Sequence, residues 1–171
     1  MWSRLGSIQY QNDRVIDLAD ETPFASGDNR LCFRHPDDAG LCIKVLRCGR
    51  AKQLYAASPF YKKMFREAYF DDNRREYAAY QQPAVARNEC TYDQHVARCY
   101  GWVRTTLGDG LVTDLIADFN GNPAQTLEDY LSEHGLNTLI QETVGDLARF
   151  LRTSLILTKN LMPDNLVLAP N

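Results

Sequence analysis

The run Leu41-Cys42-Ile43-Lys44-Val45-Leu46 constrains this chain more than any other segment, because it is apolar at five of its six positions and holds a lysine at its centre. Six apolar-rich residues bounded by turn formers fit a strand better than a helix. Side chains alternate across a strand, so Cys42 and Lys44 share one face and Ile43 and Val45 the other. Residues 30–34 form a second strand candidate, and Pro36-Asp37-Asp38-Ala39-Gly40 supplies a turn of hairpin length between the two. With Ser26-Gly27-Asp28-Asn29 as an earlier turn, residues 15–46 read as an antiparallel meander. A mid-strand lysine then has two readings: an edge-strand residue with its head in solvent, or an ammonium held by an anion.

Beyond the meander the pattern is helical over residues 49–82, with Ser58-Pro59 dividing it into a short first segment and a longer second one that Ser58 caps and Pro59 opens. Asp71 or Asp72 can cap a helix that carries Arg74, Arg75, Glu76, Tyr77 and Tyr80 and stops before Pro83, which puts Glu76 near its second turn. A second hairpin is predicted from residues 97–106 and 111–116, joined by Leu107-Gly108-Asp109-Gly110, whose glycines tolerate positive φ. Thr126, three residues before Asp129, opens a short helix ending near His134-Gly135. Asn137 caps a longer one with Ile140, Val144, Leu147 and Leu151 at helical spacing. Last, Leu155-Ile156-Leu157 and Leu166-Val167-Leu168 flank a polar loop and suggest a small strand–loop–strand unit.

Composition removes several function classes. The chain has 171 residues, an apolar fraction of 44% and a net charge of −3, enough for one domain with a real core but without a global basic field for nucleic acid or an anionic membrane. Five cysteines, Cys32, Cys42, Cys48, Cys90 and Cys99, contain no C-x-x-C pair, so spacing encodes neither a disulfide framework nor a zinc site. His35, His95 and His134 are dispersed. No run approaches the roughly 18 to 20 apolar residues of a membrane span. The expectation is a reduced, cytoplasmic protein that binds neither nucleic acid nor membrane.

The order of strands, interposed helix, hairpin and helices is similar to the protein-kinase-like fold. Cys42-Ile43-Lys44-Val45 resembles the lysine strand of kinases, and Arg75-Glu76-Tyr77 places Glu76 like the glutamate of their interposed helix. Leu161-Met162-Pro163-Asp164-Asn165-Leu166-Val167-Leu168 resembles a catalytic loop running into its metal-binding asparagine. A closer resemblance is to a small bacterial family, the YrbL-type proteins of the PhoP regulatory network, themselves kinase-like. Three blocks carry it: Leu31-Cys32-Phe33-Arg34-His35-Pro36-Asp37-Asp38-Ala39 running on to Cys42-Ile43-Lys44, then Asp114-Leu115-Ile116-Ala117-Asp118-Phe119-Asn120-Gly121-Asn122-Pro123, and the closing Leu161-Met162-Pro163-Asp164-Asn165. The segment from Gly49 to about Phe70 looks longer than that family usually has.

The resemblance implies an α+β, kinase-like chain. A strand-rich N-lobe and hinge would span residues 1–118, and a shortened helical C-lobe residues 119–171, as one compact unit. It further implies that Lys44 anchors nucleotide phosphates and that Glu76 aims it. Gly27 would lie in the phosphate-covering loop, where kinases use several glycines and Asp28 adds unfavourable charge. Ile116, Ala117, Asp118 and Phe119 would form the hinge against adenine, although Leu115 and Phe119 also suit a core. The general-base position holds Asn160, which is neutral and cannot accept the substrate proton. Asp164 is the nearest carboxylate, and Asn165 fits the metal-binding role or the turn of a tight hairpin. The second metal-binding aspartate of the fold normally comes after the last short strand, and the sequence ends at Asn171 before reaching it. The implied function is that of a catalytically impaired, pseudokinase-like protein with a weak ATP and Mg2+ site, acting through a protein partner. The alternatives are an active ATP-dependent phosphotransferase with a rearranged loop, and a structural remnant in which Lys44 and Glu76 do not meet.

Overall fold

The computed structural model describes residues 10–86, 95–159 and 161–169. The fold is mixed α+β and divides into two compact units, one of Met1–Tyr80 with Arg98–Asp114 and one of Gln81–Ala97 with Leu115–Asn171. The expected hinge, residues 116–119, belongs to the second unit.

The first unit is a six-stranded sheet: β1 (Tyr10–Ile16), β2 (Ala25–Ser26), β3 (Arg30–His35), β4 (Asp38–Leu46), β5 (Cys99–Thr105) and β6 (Gly108–Asp114), in the order β1-β5-β6-β4-β3-β2. The β3–β4 hairpin forms as the alternation predicts, with Cys32 opposite Lys44 and Phe33 opposite Ile43, but its turn is only Pro36-Asp37: His35 pairs with Asp38, so Asp38, Ala39 and Gly40 extend β4 instead of forming the expected turn. The simple meander does not: β1 leaves β2 and pairs in parallel with β5 at the far edge. The alternation that buries Ile16 and exposes Val15 fits either edge, so local pattern could not place this strand. One sheet face carries the core, Ile16, Leu18, Phe33, Ile43, Val45, Val103 and Val112.

The β5–β6 turn comes earlier than its glycines suggested. Thr105 pairs with Gly108, leaving Thr106 and Leu107 as the loop, and Gly108 alone takes positive φ, 119°. Gly110 serves a different need, since a Cβ there would meet Ile43 Cγ2 at 2.5 Å.

Helix α1 (Arg50–Ala57) comes after β4, and α2 (Asp72–Tyr80) lies between β4 and β5 in the chain. Ser58 ends α1 instead of starting a helix; its hydroxyl donates to Leu54 O at 2.7 Å. Two 3₁₀ turns, Lys62–Met64 and Glu67–Phe70, fill the connection. Asp71 is the cap of α2, its Oδ1 accepting from Asn73 N at 2.9 Å and Arg74 N at 3.1 Å, which satisfies two otherwise unbonded donors of the first turn.

The second unit holds α3 (Pro83–Ala86), α4 (Leu127–His134) and α5 (Thr138–Thr153). Both expected caps form: Thr126 Oγ1 accepts from Asp129 N at 3.1 Å, and Asn137 Oδ1 from Ile140 N at 3.0 Å. The terminal strand–loop–strand unit does not form. Residues 163–165 make a 3₁₀ turn, and Val167 bridges to Thr126, with Leu127 N donating to Leu166 O and Leu168 N to Gln125 O. The partner strand is therefore the segment before α4, because Leu155 is diverted into the close of α5. There Leu155 adopts φ 54°, and Ile156 N and Leu155 N return to Leu151 O and Arg152 O, a Schellman closure with leucine where glycine is usual.

Candidate functional site

Lys44 and Glu76 meet. Lys44 Nζ lies 2.7 Å from Glu76 Oε1, and the contact arises from local geometry. Strand alternation puts Lys44 on the face away from the Ile43–Val45 core, and the Asp71 cap starts α2 so that Glu76 falls in its second turn. The helix is tied to the strand by Asn73, a buried residue whose Nδ2 donates to Lys44 O at 2.7 Å. Tyr77, one position beyond Glu76, packs edge-on against buried Trp102 with ring centroids 5.7 Å apart.

A second cation completes the arrangement. The Arg30 guanidinium donates to Glu76 Oε2 and, at 3.4 Å, to Asn73 Oδ1. The carboxylate is thus held on both oxygens, and one anion stands against two cations, leaving one excess positive charge. The side chains of Arg30, Lys44 and Glu76 are 25%, 21% and 22% exposed, so the group is largely buried but open to solvent on one side. Burial works to raise the Glu76 pKa, yet the attraction of Lys44 and then Arg30, with their hydrogen bonds, holds it below the ordinary carboxylate value. Arg30 and Asn73 escaped the sequence reading. The signal was present for Arg30, because the hairpin places Cys32 opposite Lys44 and hence Arg30 on the same face.

The surroundings keep the thiols quiet. Burial raises the Cys32 thiol, and pushes Cys99 up to about 11. Burial likewise raises the Tyr80 phenol, helped by the nearby charge of Glu76. None of these is a nucleophile at neutral pH. Cys42 is buried and its Sγ sits 3.2 Å from Thr113 Oγ1. Cys90 lies outside the described residues.

The loop between β2 and β3 is braced. Gly27 N donates to Arg30 O at 3.0 Å, Arg47 Nε donates to Gly27 O at 2.9 Å, and another Arg47 nitrogen reaches Ser26 Oγ at 2.6 Å. A Cβ at Gly27 would meet Arg30 O at 3.9 Å, an ordinary contact, and Gly27 has no positive φ, so nothing in the turn requires glycine. Asn29 links it to neighbouring elements, donating to Asp72 Oδ2 at 2.7 Å and accepting from Arg50 Nε at 2.7 Å.

In the second unit, residues 116–119 close a tight loop. Ala117 bridges to Pro123, Ile116 O accepts from Ala124 N at 2.9 Å and Asp118 N donates to Asn122 O at 2.7 Å. Asp118 Oδ1 accepts from Asn120 N and Asn122 N at 2.8 Å each, and the bond from Asn122 is the first cause holding its pKa below the ordinary value. Phe119 is 84% exposed, which removes the reading of that side chain as core. Asp164 and Asn165 are neighbours in contact, Asn165 Nδ2 donating to Asp164 Oδ1 at 2.9 Å, and both are exposed. Asn160 lies outside the described residues. Among the described residues no group of three or more His, Cys, Asp or Glu side chains is placed to hold a metal ion.

These features define a mixed α+β protein whose sheet and interposed helix share a lysine–glutamate–arginine cluster. The chain belongs to the family of the PhoP regulatory network protein YrbL, whose model matches residues 16–171. It is similar to the uncharacterised proteins YrbL of Escherichia coli (strain K12) and of Shigella flexneri, with 26% identity to each over 159 residues, covering 90% of this chain. The chain spans 65% of the length of those relatives. No solved structure matches it.

Proposed function

We propose that this chain is the phosphate-anchoring part of a kinase-like protein, catalytically impaired, that binds an ATP-type nucleotide weakly and acts through a protein partner. The observation that carries the reading is the 2.7 Å contact of Lys44 with Glu76 in a cluster with one positive charge to spare, since a flexible ammonium must be aimed by an anion before it can hold a phosphate. The strand order β5-β6-β4-β3-β2, with α2 inserted between β4 and β5, supports the same reading. A remnant of the fold, with the two heads apart, is disfavoured by this contact.

The rest of the geometry favours weak binding. The Gly27 N–H is bonded within its own turn and the Asp118 N–H within the 116–124 loop, so neither is available to a nucleotide without rearrangement.

Thermal unfolding with millimolar ATP, with and without magnesium, tests the proposal. A ligand at about ten times its Kd stabilises by roughly 1.4 kcal/mol, so a rise of a few degrees is expected, and it should vanish in Lys44→Ala. No shift, or the same shift in the variant, would overturn it. The Asp164–Asn165 contact is the observation favouring the alternative, an active phosphotransferase with a rearranged loop. That reading requires transfer of labelled phosphate from ATP, lost in both Lys44→Ala and Asp164→Asn.

A further inference from the structure

The net charge of −3 hides a local field of opposite sign. From Arg47 to Arg66 the chain carries Arg47, Arg50, Lys52, Lys62, Lys63 and Arg66 and no aspartate or glutamate. Arg47 and Arg50 are engaged with the β2–β3 turn. Lys62, Lys63 and Arg66 are exposed, and among the described residues no ion pair holds them. The nearest acids in sequence are Glu67, which is exposed, then Asp71 and Asp72, which are paired with Arg74 and Arg75.

The same stretch presents apolar tips. Tyr55 packs edge-on against Phe70 at 5.7 Å, Phe65 stacks on Tyr69 at 4.6 Å, and Tyr55 Oη donates to Lys63 O at 3.3 Å. This inner aromatic set shapes the loop. Phe60 and Met64, on either side of Lys62 and Lys63, are left 84% and 86% exposed. Large side chains so fully in water contribute little to folding, and apolar tips interleaved with ammonium groups are what an anionic lipid interface accepts: the tips enter the acyl boundary while the lysines stay at the headgroups.

We propose that residues 58–66 seat this protein peripherally on an anionic lipid surface. Charge complementarity selects an anionic occupant, and the protruding Phe60 and Met64 select a bilayer over other polyanions. Single-stranded nucleic acid would use open aromatic ring faces, whereas Phe65 is already stacked on Tyr69 and the most exposed tip, Met64, has no ring to stack on a base. No helix among the described residues is long and apolar enough to cross a membrane, in keeping with a peripheral contact.

Co-sedimentation of the whole chain with vesicles tests this. Binding is expected to phosphatidylcholine vesicles containing phosphatidylglycerol and not to phosphatidylcholine alone, and it should weaken with salt. At about 1 kcal/mol per cation, the double variant Lys62→Gln, Lys63→Gln should lower partitioning roughly 30-fold. The double variant Phe60→Ser, Met64→Ser should lower it roughly tenfold or more with an unchanged unfolding temperature. Absence of binding to the anionic vesicles would overturn the proposal. So would binding indifferent to the Phe60/Met64 variant, which is charge adsorption alone. Binding to polyglutamate or an oligonucleotide without binding to vesicles would overturn it in favour of a macromolecular partner.

Discussion

Removing the carboxylate of Glu76 should destabilise the first unit more than removing either cation it holds. In Glu76→Gln the Lys44 and Arg30 heads remain, no longer separated by negative charge. With roughly 5 Å between cations bound to opposite oxygens of one carboxylate and an effective dielectric of about 20, their repulsion is about 3 kcal/mol. The side chains are one-fifth to one-quarter exposed, and relaxation of Lys44 toward solvent should reduce the loss to about 2 kcal/mol. In Lys44→Met, by contrast, Glu76 keeps Arg30 and a neutral one-to-one pair remains, so the cost should be about 1 kcal/mol. Urea unfolding followed by circular dichroism measures both, with the slope unchanged if only native interactions are lost. Added inorganic phosphate supplies a further arm: it should recover stability in Glu76→Gln more than in the wild type, because the variant offers two unopposed cations. Acid titration separates the variants too. The Glu76 pKa is lowered on folding, so its contribution is complete above its ordinary value of 4.5 and is lost as pH falls through the lower folded value. The wild type should therefore lose its advantage over Glu76→Gln in that acid window. Equal costs for Glu76→Gln and Lys44→Met, or a phosphate response no larger in the variant, would refute the two-cation argument.

Three further substitutions test local structure, one in the first unit and two in the second. Leu155→Gly should stabilise the chain by about 1 kcal/mol by relieving the left-handed backbone; the residue is 77% exposed, so little burial is lost, and a lower unfolding temperature would contradict this. Gly110→Ala should cost about 1–3 kcal/mol, because the new methyl meets the fully buried Ile43; an unchanged urea midpoint would show that the sheet yields there. Asn137→Ala should cost about 1 kcal/mol by removing the acceptor for Ile140 N, and preserved helicity and stability would mean that packing alone starts α5.

Much of the local structure could be read from residue order. Asp71, Thr126 and Asn137 act within three residues of themselves, so their caps were visible in sequence, although Ser58 shows that a serine before proline can equally end a helix when its hydroxyl finds the preceding carbonyl. The β3–β4 hairpin was legible from alternation, although the turn formers Asp38 and Gly40 fall inside β4 and not in the turn. Lys44 and Glu76 were legible as a pair only through resemblance to a family pattern; nothing in 31 intervening residues states that they touch.

Order and type along the chain therefore set which strands and helices form and which face of β4 holds a lysine, since periodicity and capping act over a few residues. Tertiary structure settled what those faces meet. It carried β1 to the far edge of the sheet and paired Val167 with Thr126 instead of the Leu155 segment. It also brought Arg30 and Asn73 to the carboxylate that Lys44 needs. Each of these is a contact between segments distant in sequence, favoured by burial and by charge neutralisation that exist only once the sheet and helix have packed, and no short window of residues contains that energy.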